Sequence, residues 1–453
     1  MTVISKTKAV VGLLLFGLVC LTGRLLPAQD EAPNEALIQM IVDLVGGDDP
    51  DMRMLGLQQI REEIRGEAAT RRFAELLPKL APAERVSLLD ALGDRGDAVA
   101  RAAVIEMLKG QPEEVRAAAL GALGALGSAA DVPMLTEKAA TASQPERLAA
   151  RQSLIRLRGD DVNDAVVSEM EESEAAVRAE LLEVLAGRNA TGAVPAVIES
   201  AEDADPAVRL AALGALRALA DEAHVADIVR LLGKCEDDAQ RRKAELALLV
   251  ICSRGRESCA EALIDGLADA GAASRVVLLR ALGRAGGTDA LQTLVESLKD
   301  DDEAVRTEAV RVLSGWGDPA VAPHLLEIAR SDDQPRFQIL AIRGLMRLGS
   351  ARKEKPADMK LLAEAMGLAK RPQETRMAVG VLGRLGTPEA LALVVPLLDD
   401  LVVAEEAGLA AVMIAERIKD GDKDTIRTAM GLVQKQTKDQ DVRQRAEKVL
   451  NSL

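Results

Sequence analysis

The chain has 453 residues, of which 48% are hydrophobic and 28% charged, a composition typical of a folded protein rather than a disordered one. Its formal net charge of −15 excludes a general nucleic-acid-binding role, because phosphate recognition needs a basic surface. The sequence has three Phe, one Trp and no Tyr, and alternating β-branched or aromatic runs are nearly absent, which favours helices with an Ala- and Leu-rich core.

The first residues of the chain predict an export signal. Two lysines precede an apolar run from Ala9 to Leu21, and small and polar residues follow it. The run is shorter than the ~20 residues that span a bilayer, and Arg24 interrupts any extension. We expect residues 1–28 to be a signal peptide, with an uncleaved membrane anchor as the alternative. The protein is then periplasmic or secreted, with no membrane span beyond this segment.

One motif repeats from residue 35 to the end of the chain. A Leu or Ile returns about once every 31 residues, often with an Arg seven positions before it. This period indicates stacked units of supersecondary structure rather than separate domains. We call the thirteen positions marker residues; they are Ile60, Leu92, Leu123, Leu154, Leu185, Leu216, Leu248, Leu282, Leu313, Leu345, Leu382, Met413 and Leu450.

Each unit of the repeat is predicted to contain two helices. In "DPAVRLAALGALRALA", Asp205 can cap a helix, Pro206 fits its first turn, and apolar residues share one face with the marker Leu216. Partner helices stand between the marker helices, as in "AVPAVIESAE" and "DALQTLVESL". Trp316 takes the place of the last apolar residue of a marker helix, which predicts a core position.

The stretches "DPAVRLAALGAL", "PEEVRAAALGALGALG" and "DDEAVRTEAVRVL" resemble HEAT repeats of the short, phycobilisome-lyase-like class. The resemblance covers residues 35–453. It implies an all-α, right-handed α-α superhelix of the HEAT/armadillo type, with about 13 two-helix repeats and a concave surface lined by one set of helices. It also implies an ion-pair ladder between neighbouring units, to which we assign Arg116, Arg178, Arg209 and Arg306.

The sequence contains no recognisable catalytic constellation. His224 and His324 are far apart in the chain, and neither has a nucleophile or carboxylate at a spacing that indicates catalysis. Related di-iron HEAT hydroxylases use His-Glu pairs, but Val225 and Leu325 follow the two histidines here. We therefore expect no enzyme activity, no metal and no cofactor. The favoured function is an exported protein-interaction scaffold; a lyase-like or enzyme-assembly subunit and a structural component of the cell envelope are the alternatives.

A basic stripe is the main candidate binding site. Residues two before and two after a marker lie ~200° around the helix from it, so they point away from the core toward the predicted concave surface. These positions hold Leu246 and Val250 in the seventh repeat and at least one arginine in each of the next four, and Arg376 lies on the same face, one turn before Gly380. Arginine can hold a carboxylate in bidentate fashion, so we expect an acidic segment of a protein partner or another polyanion here. A solvated face with local ion pairs is the alternative. The stripe comprises Arg280, Arg284, Arg311, Arg343, Arg347, Arg376 and Arg384.

An inserted loop is the second candidate. The step from Leu345 to Leu382 is longer than its neighbours, which places extra residues near Gly349–Lys360. Insertions in repeat proteins map to loops at the edge of the array, and such loops often carry contacts. The basic residues of this loop are Arg352, Lys353 and Lys355. A tolerated linker is the alternative.

Two cysteines are placed to form a disulfide. Cys252 falls near the end of one predicted helix and Cys259 near the start of the next, at the same edge of the array. Cys235 is separated from them by a helix too long for a bridge. Export would place the chain in an oxidising compartment, so Cys252–Cys259 is the predicted pair. Buried free thiols are the alternative.

Overall fold

The computed structural model describes residues 35–62, 64, 66–330, 334–350, 358–418 and 421–453. These residues form helices and connecting turns, and no strand occurs among them. No helix in these ranges combines the length and the apolar character that crossing a bilayer requires. The predicted signal peptide, residues 1–28, and the loop residues Arg352, Lys353 and Lys355 lie outside the described residues.

The chain forms two compact units, and the first ends at Glu169. Its helices are α1 (Glu35–Gly46), α2 (Pro50–Glu62), α3 (Glu67–Ala74), α4 (Pro82–Arg95), α5 (Arg101–Glu106), α6 (Glu113–Leu126), α7 (Val132–Thr141), α8 (Gln144–Arg156) and α9 (Val162–Glu172), the last of which contains the boundary.

The second unit runs from Met170 to Leu453. Its helices are α10 (Ala175–Gly187), α11 (Val194–Ser200), α12 (Pro206–Leu219), α13 (Val225–Gly233), α14 (Asp238–Gly255), α15 (Ala260–Asp265), α16 (Ala272–Ala285), α17 (Thr288–Glu296), α18 (Glu303–Gly315), α19 (Ala322–Arg330), α20 (Pro335–Gly349), α21 (Met359–Leu368), α22 (Pro372–Leu385), α23 (Pro388–Val394), α24 (Ala404–Arg417), α25 (Lys423–Gln436) and α26 (Gln440–Ser452). Single 3₁₀ turns occur in both units at Leu77–Lys79, Ala98–Ala100, Ala129–Asp131, Thr191–Ala193, Glu222–His224, Arg256–Cys259, Ser297–Lys299, Pro319–Val321 and Val395–Asp399.

The predicted two-helix repeat is confirmed. Every even-numbered helix from α2 to α26 contains one marker residue, and the odd-numbered helices are the predicted partner helices. Within each unit, successive even helices pack directly on one another, and the odd helices cover their apolar side. The first eleven markers, from Ile60 to Leu382, are fully buried. Trp316 is also buried, as its place in the repeat predicts.

The marker prediction is wrong in the last two helix repeats, those of α24 and α26. Met413 and Leu450 are only half-buried, whereas Ala411 in α24 and Ala446 in α26 are fully buried. The register therefore shifts by two residues in α24, a change that the Leu/Met spacing alone does not reveal.

Residues at the ends of the helices explain where these helices begin. The Asp205 carboxylate accepts the backbone N–H of Ala207 at 2.8 Å, and Pro206 occupies the first turn of α12, as predicted. The Asp302 carboxylate accepts the N–H groups of Ala304 and Val305 at the start of α18. These side chains satisfy donors that the first turn of a helix leaves without intrahelical partners.

Glycines bring the even helices close together. On two successive even helices, the residue that follows the first marker faces the residue that precedes the second marker. In most such pairs, at least one residue is small. A Cβ on Gly124 in α6 would lie 3.0 Å from Cα of Ser153 in α8. A Cβ on Gly344 in α20 would lie 2.9 Å from the backbone oxygen of Ser314 in α18. These glycines therefore allow the backbones of successive even helices to come into direct contact.

Candidate interaction surface

Arginines seven positions before the markers connect neighbouring two-helix repeats. Arg116 Nε donates to Glu146 Oε1 at 2.7 Å, and Arg178 donates to both carboxylate oxygens of Asp203 at 3.0 Å. Arg178 also donates to the carbonyl of Ser173, in the turn that precedes its own helix. Such a guanidinium thus connects the turn before its own helix to a carboxylate of the following two-helix repeat. Arg209 pairs with Glu236 in the same way, and Arg306 donates to the carbonyls of Asp300 and Asp301. Arg116, Arg178 and Arg209 thus form contacts of the predicted ladder, whereas Arg306 contacts, among the described residues, only the turn before its own helix.

A network of three helices engages the first arginines of the basic stripe. Arg280 on α16 contacts Glu245 of α14 at 2.8 Å and Glu308 of α18 at 3.1 Å. Arg311, one turn after Glu308, donates to the same carboxylate at 2.6 Å. The side chain of Glu308 is 6% exposed, so its negative charge is held between two guanidinium groups. The hydrogen bonds that Arg280 donates to Glu308 and Glu245 raise the pKa of its guanidinium above the ordinary value.

The next arginines differ in how firmly they are held. Arg343 Nη2 on α20 lies 3.9 Å from Glu374 Oε1 on α22, beyond hydrogen-bond distance. Arg376 Nε donates to Glu406 at 2.8 Å, and its Nη2 donates to the carbonyl of Val402. Both guanidinium groups are exposed on one side. Arg376 is therefore engaged by the α24 unit, while Arg343 keeps most of its donors for solvent or a ligand.

Arg347 caps the end of the preceding even helix. Its Nη2 donates to the carbonyl oxygens of Ser314, at 3.0 Å, and Trp316 at the end of α18. Arg417 on α24 does the same for Gly383 and Arg384 at the end of α22. A cation at a helix C-terminus satisfies carbonyls without intrahelical partners and opposes the helix dipole. The structure thus gives Arg347 a capping role within the stack.

Two arginines of the stripe remain unengaged. Arg284 on α16 and Arg384 on α22 are exposed, and their side chains have no hydrogen-bond or ion-pair partner among the residues that the structure describes. Leu246 and Val250, one turn apart on α14, are 40% and 38% exposed on the neighbouring helix. The even helices of the second unit thus present two apolar side chains and then a series of cations, of which two are free.

The repeat, its helix pairs and its internal ladder agree with a known family. The model of HEAT repeats matches residues 70–155, 163–249 and 260–346, more than half of the chain. This chain belongs to the HEAT-repeat family. No curated protein matches the sequence.

Solved structures show the same fold as this HEAT-repeat protein. Kap121p bound to Pho4p, Kap121p bound to Nup53p, and the karyopherin Kap121p bound to the SUMO protease Ulp1p each match with a TM-score of 0.50 at 14% identity. The match covers 92% of this chain and 53% of the other, so the chain spans about half the length of these karyopherins. The likeness shows the α-α superhelix fold. The phycobilisome-lyase-like subclass remains a prediction.

The cysteines of the HEAT-repeat protein lie as expected at one edge of the stack. Cys252, near the end of α14, and Cys259, before α15, are both fully buried free thiols. Burial raises the pKa of both thiols, and it raises the pKa of the half-buried Cys235 to about 11. The Cys252–Cys259 disulfide remains a prediction.

The histidines have separate surroundings. His224 Nδ1 lies 2.7 Å from Asp221 Oδ1 in the turn before α13, while His324 is on α19. Among the described residues, no group of three His, Cys, Asp or Glu side chains could hold a metal ion.

Sequence reasoning missed the buried acids that organise the arginines. Glu308 and Glu374 are 4% and 3% exposed as residues, and both contact arginines from a neighbouring helix. Glu146 has the same position relative to its marker as Glu374, eight residues before it, and it binds the ladder arginine Arg116. An acid in the first turn of a marker helix was the available signal for two of these three side chains.

Proposed function

We propose that this HEAT-repeat protein is a non-catalytic scaffold that binds a protein partner along the even-helix face of its second unit. We further propose that an acidic segment of the partner contacts the arginines of this face, and that the protein works after export. The observation that carries the proposal is the pair of free cations, Arg284 and Arg384, on a face whose other arginines, except Arg343, are held by carboxylates or backbone carbonyls. The paired arginines make hydrogen bonds or ion pairs within the stack, whereas the side chains of these two make none with the residues that the structure describes.

The ligand chemistry follows from which arginines are free. A carboxylate from a partner would compete with Glu245 and Glu308 for Arg280, so this guanidinium adds little new binding energy. Arg284, Arg343 and Arg384 offer donors without such competition. Exposed Leu246 and Val250 add apolar contact on the adjacent helix. We therefore expect the partner segment to combine acidic residues with an aliphatic or aromatic side chain.

The fold comparison supports a protein partner. Kap121p, which has the same fold, is bound to Pho4p, Nup53p and Ulp1p in the solved structures. A stack of helix pairs presents an extended surface on which many shallow contacts can add together.

The experiment measures binding of a fluorescent Glu-rich peptide with one leucine to the purified chain by anisotropy. In the test variant, Arg284, Arg343 and Arg384 are all replaced by Glu. We expect binding at least about tenfold weaker, because three exposed charge pairs at up to ~1 kcal/mol each are lost and charge reversal adds repulsion. The matched control reverses Lys299, Lys435 and Lys438, exposed cations on or after odd helices with the same total charge.

The control separates a specific site from general electrostatics. Weaker binding in the arginine variant and unchanged binding in the lysine variant would support the proposal. Equal weakening in both variants, or unchanged affinity in both, would contradict it. A chromophore or metal absorbance in the purified protein would favour the lyase-like alternative instead.

A further inference from the structure

We propose that a groove on the odd-helix side of the second unit binds a segment of a partner protein that combines apolar and basic side chains. The groove lies between α13 and α15 and is closed at one end by the first turns of α16, and its volume is about 580 Å³. Its apolar lining comes from Val229, Leu232, Ala262 and Leu278. A groove of this size accommodates several side chains of a ligand.

Two glycines shape the groove. A Cβ on Gly266, at the end of α15, would overlap Cγ1 of Val229 on α13, so only glycine lets the two helices approach closely there. A Cβ on Gly233 would instead meet no atom within 4 Å, because it would point into open space. The first glycine fixes the distance between the helices, and the second leaves the end of α13 open. Close packing at one point and open space at another make this a defined groove.

The charges around the groove determine its occupant. Glu261 and Asp265 lie one turn apart on α15, about 6 Å of helix rise, and Asp269 lines the groove from the turn between α15 and α16. All three are exposed, and none has a side-chain hydrogen bond or ion pair with any residue that the structure describes. On the opposite wall, Arg230 is neutralised by Glu202 and Asp227. The groove therefore has an apolar floor and three unpaired negative charges along one side.

A basic and apolar peptide segment fits this arrangement. Lys and Arg side chains can pack their apolar stems on a hydrophobic floor while their charged ends stay at the rim. At the rim of this groove, those charged ends can pair with the three carboxylates. An acidic segment would meet like charge along the whole wall. The groove thus selects the opposite chemistry to that of the arginine face on the even helices. The two sites use different residues, because α13, α15 and the first half of α16 line the groove, whereas Arg284 lies at the end of α16 and Arg384 on α22.

The test uses an amphipathic probe peptide with leucines and with lysines at positions i, i+4 and i+8, measured by anisotropy on the full chain. The groove variant combines Glu261→Gln, Asp265→Asn and Asp269→Asn. The control variant combines three exposed acids outside the groove: Glu327→Gln, Glu389→Gln and Glu447→Gln. Because three exposed charge pairs together contribute a factor of about ten, we expect about tenfold weaker binding to the groove variant and unchanged binding to the control.

A second variant tests the apolar floor. Ala226 lines the groove and is exposed, so Ala226→Trp fills the groove without disturbing the core. We expect about tenfold weaker probe binding with an unchanged melting temperature, and this loss should persist at high salt, where charge pairs are screened. Unchanged binding to both the groove variant and the Trp variant would overturn the proposal. Equal weakening by the groove and control triples would also overturn it, because a diffuse acidic surface would then explain the binding.

Self-association is the competing use of the groove. If sizing of the pure chain shows a concentration-dependent dimer that Ala226→Trp abolishes, a second copy occupies the groove and the proposed partner segment is wrong. A monomer that binds the basic probe through the groove supports the proposal. Loss of acidic-peptide binding in the arginine variant described above would not affect either result, so the two proposals fail separately.

Discussion

Removing the charge of Glu146 should destabilise the first unit, and the effect should depend on pH. Arg116 donates two hydrogen bonds to this carboxylate, at 2.7 and 3.1 Å, and the Ser143 hydroxyl donates another at 2.7 Å. The Glu146 side chain is 7% exposed, so water cannot replace these partners. The substitution Glu146→Gln keeps the shape of the side chain but removes its negative charge.

The pKa of Glu146 gives the magnitude. The hydrogen bond from Arg116 is the main cause that lowers this pKa from 4.5 to about 2. At ~1.4 kcal/mol per pH unit, the ionised form contributes about 3 kcal/mol to folding above pH 5. Because the folded pKa is lowered, this contribution is complete above 4.5 and disappears as the pH falls toward 2. Gln still accepts one hydrogen bond, so we expect Glu146→Gln to cost about 1–3 kcal/mol at pH 7 and almost nothing near pH 2.

Hydrogen exchange is the appropriate assay. The single Trp, Trp316, lies in the second unit, so its fluorescence would not follow the first. Exchange of peptides from α6 and α8, measured by mass spectrometry, reports local opening there. The control is Glu106→Gln, which removes the exposed pair with Lys109 and should change stability by less than ~0.5 kcal/mol. An equal loss for both variants, or a loss that stays constant from pH 5 to pH 2, would refute the reasoning.

Other predictions concern the close contacts and the thiols. Gly344→Ala should destabilise the second unit by about 1–3 kcal/mol, because its Cβ would press on the α18 backbone. Gly380→Ala should stabilise the same unit by up to ~1 kcal/mol, because its Cβ would lie in open space on α22. Denaturation followed by tryptophan fluorescence measures the free energy of unfolding of both variants. Alkylation of the native protein at pH 8 should label Cys235 slowly and leave Cys252 and Cys259 unlabelled, as peptide mapping would show. Mapping of unreduced protein from its native cells should give a linked Cys252–Cys259 peptide.

The sequence was sufficient to predict the repeat, because its signal is local and repeated. Apolar residues three and four positions apart define the buried side of each helix, and Asp205 or Asp302 defines where a helix begins. The same signal misled at Met413. Ala411 is fully buried there, and Ala410 before it lies against Gly383, which follows the marker Leu382. The position that continues the stack in α24 is therefore an alanine, which a search for Leu or Met does not find.

Helical spacing predicted where the stripe arginines lie, but it could not predict what they contact. The angle around a helix follows from sequence alone, whereas the partner depends on how far one helix is shifted along its neighbour. That shift brings Arg347 to the carbonyl end of α18 and Arg280 between Glu245 and Glu308. Aligning the two-helix repeats by their marker residues does not reveal how far one helix is shifted along its neighbour. The distinction between held and free arginines therefore required the structure.

Charge in the second unit is divided between its two helix layers. Arg284 and Arg384 are free on the even helices, and Glu261, Asp265 and Asp269 are unpaired at the groove of the odd helices. Packed helices are about 8–10 Å apart, roughly one Debye length at 0.1 M salt, so ligands on the two layers interact weakly. The acidic and basic probe peptides should therefore bind together, each changing the affinity of the other by less than about twofold at that salt. Mutual exclusion of the two probes in a titration would show that one surface binds both, and it would contradict the division of roles between the layers.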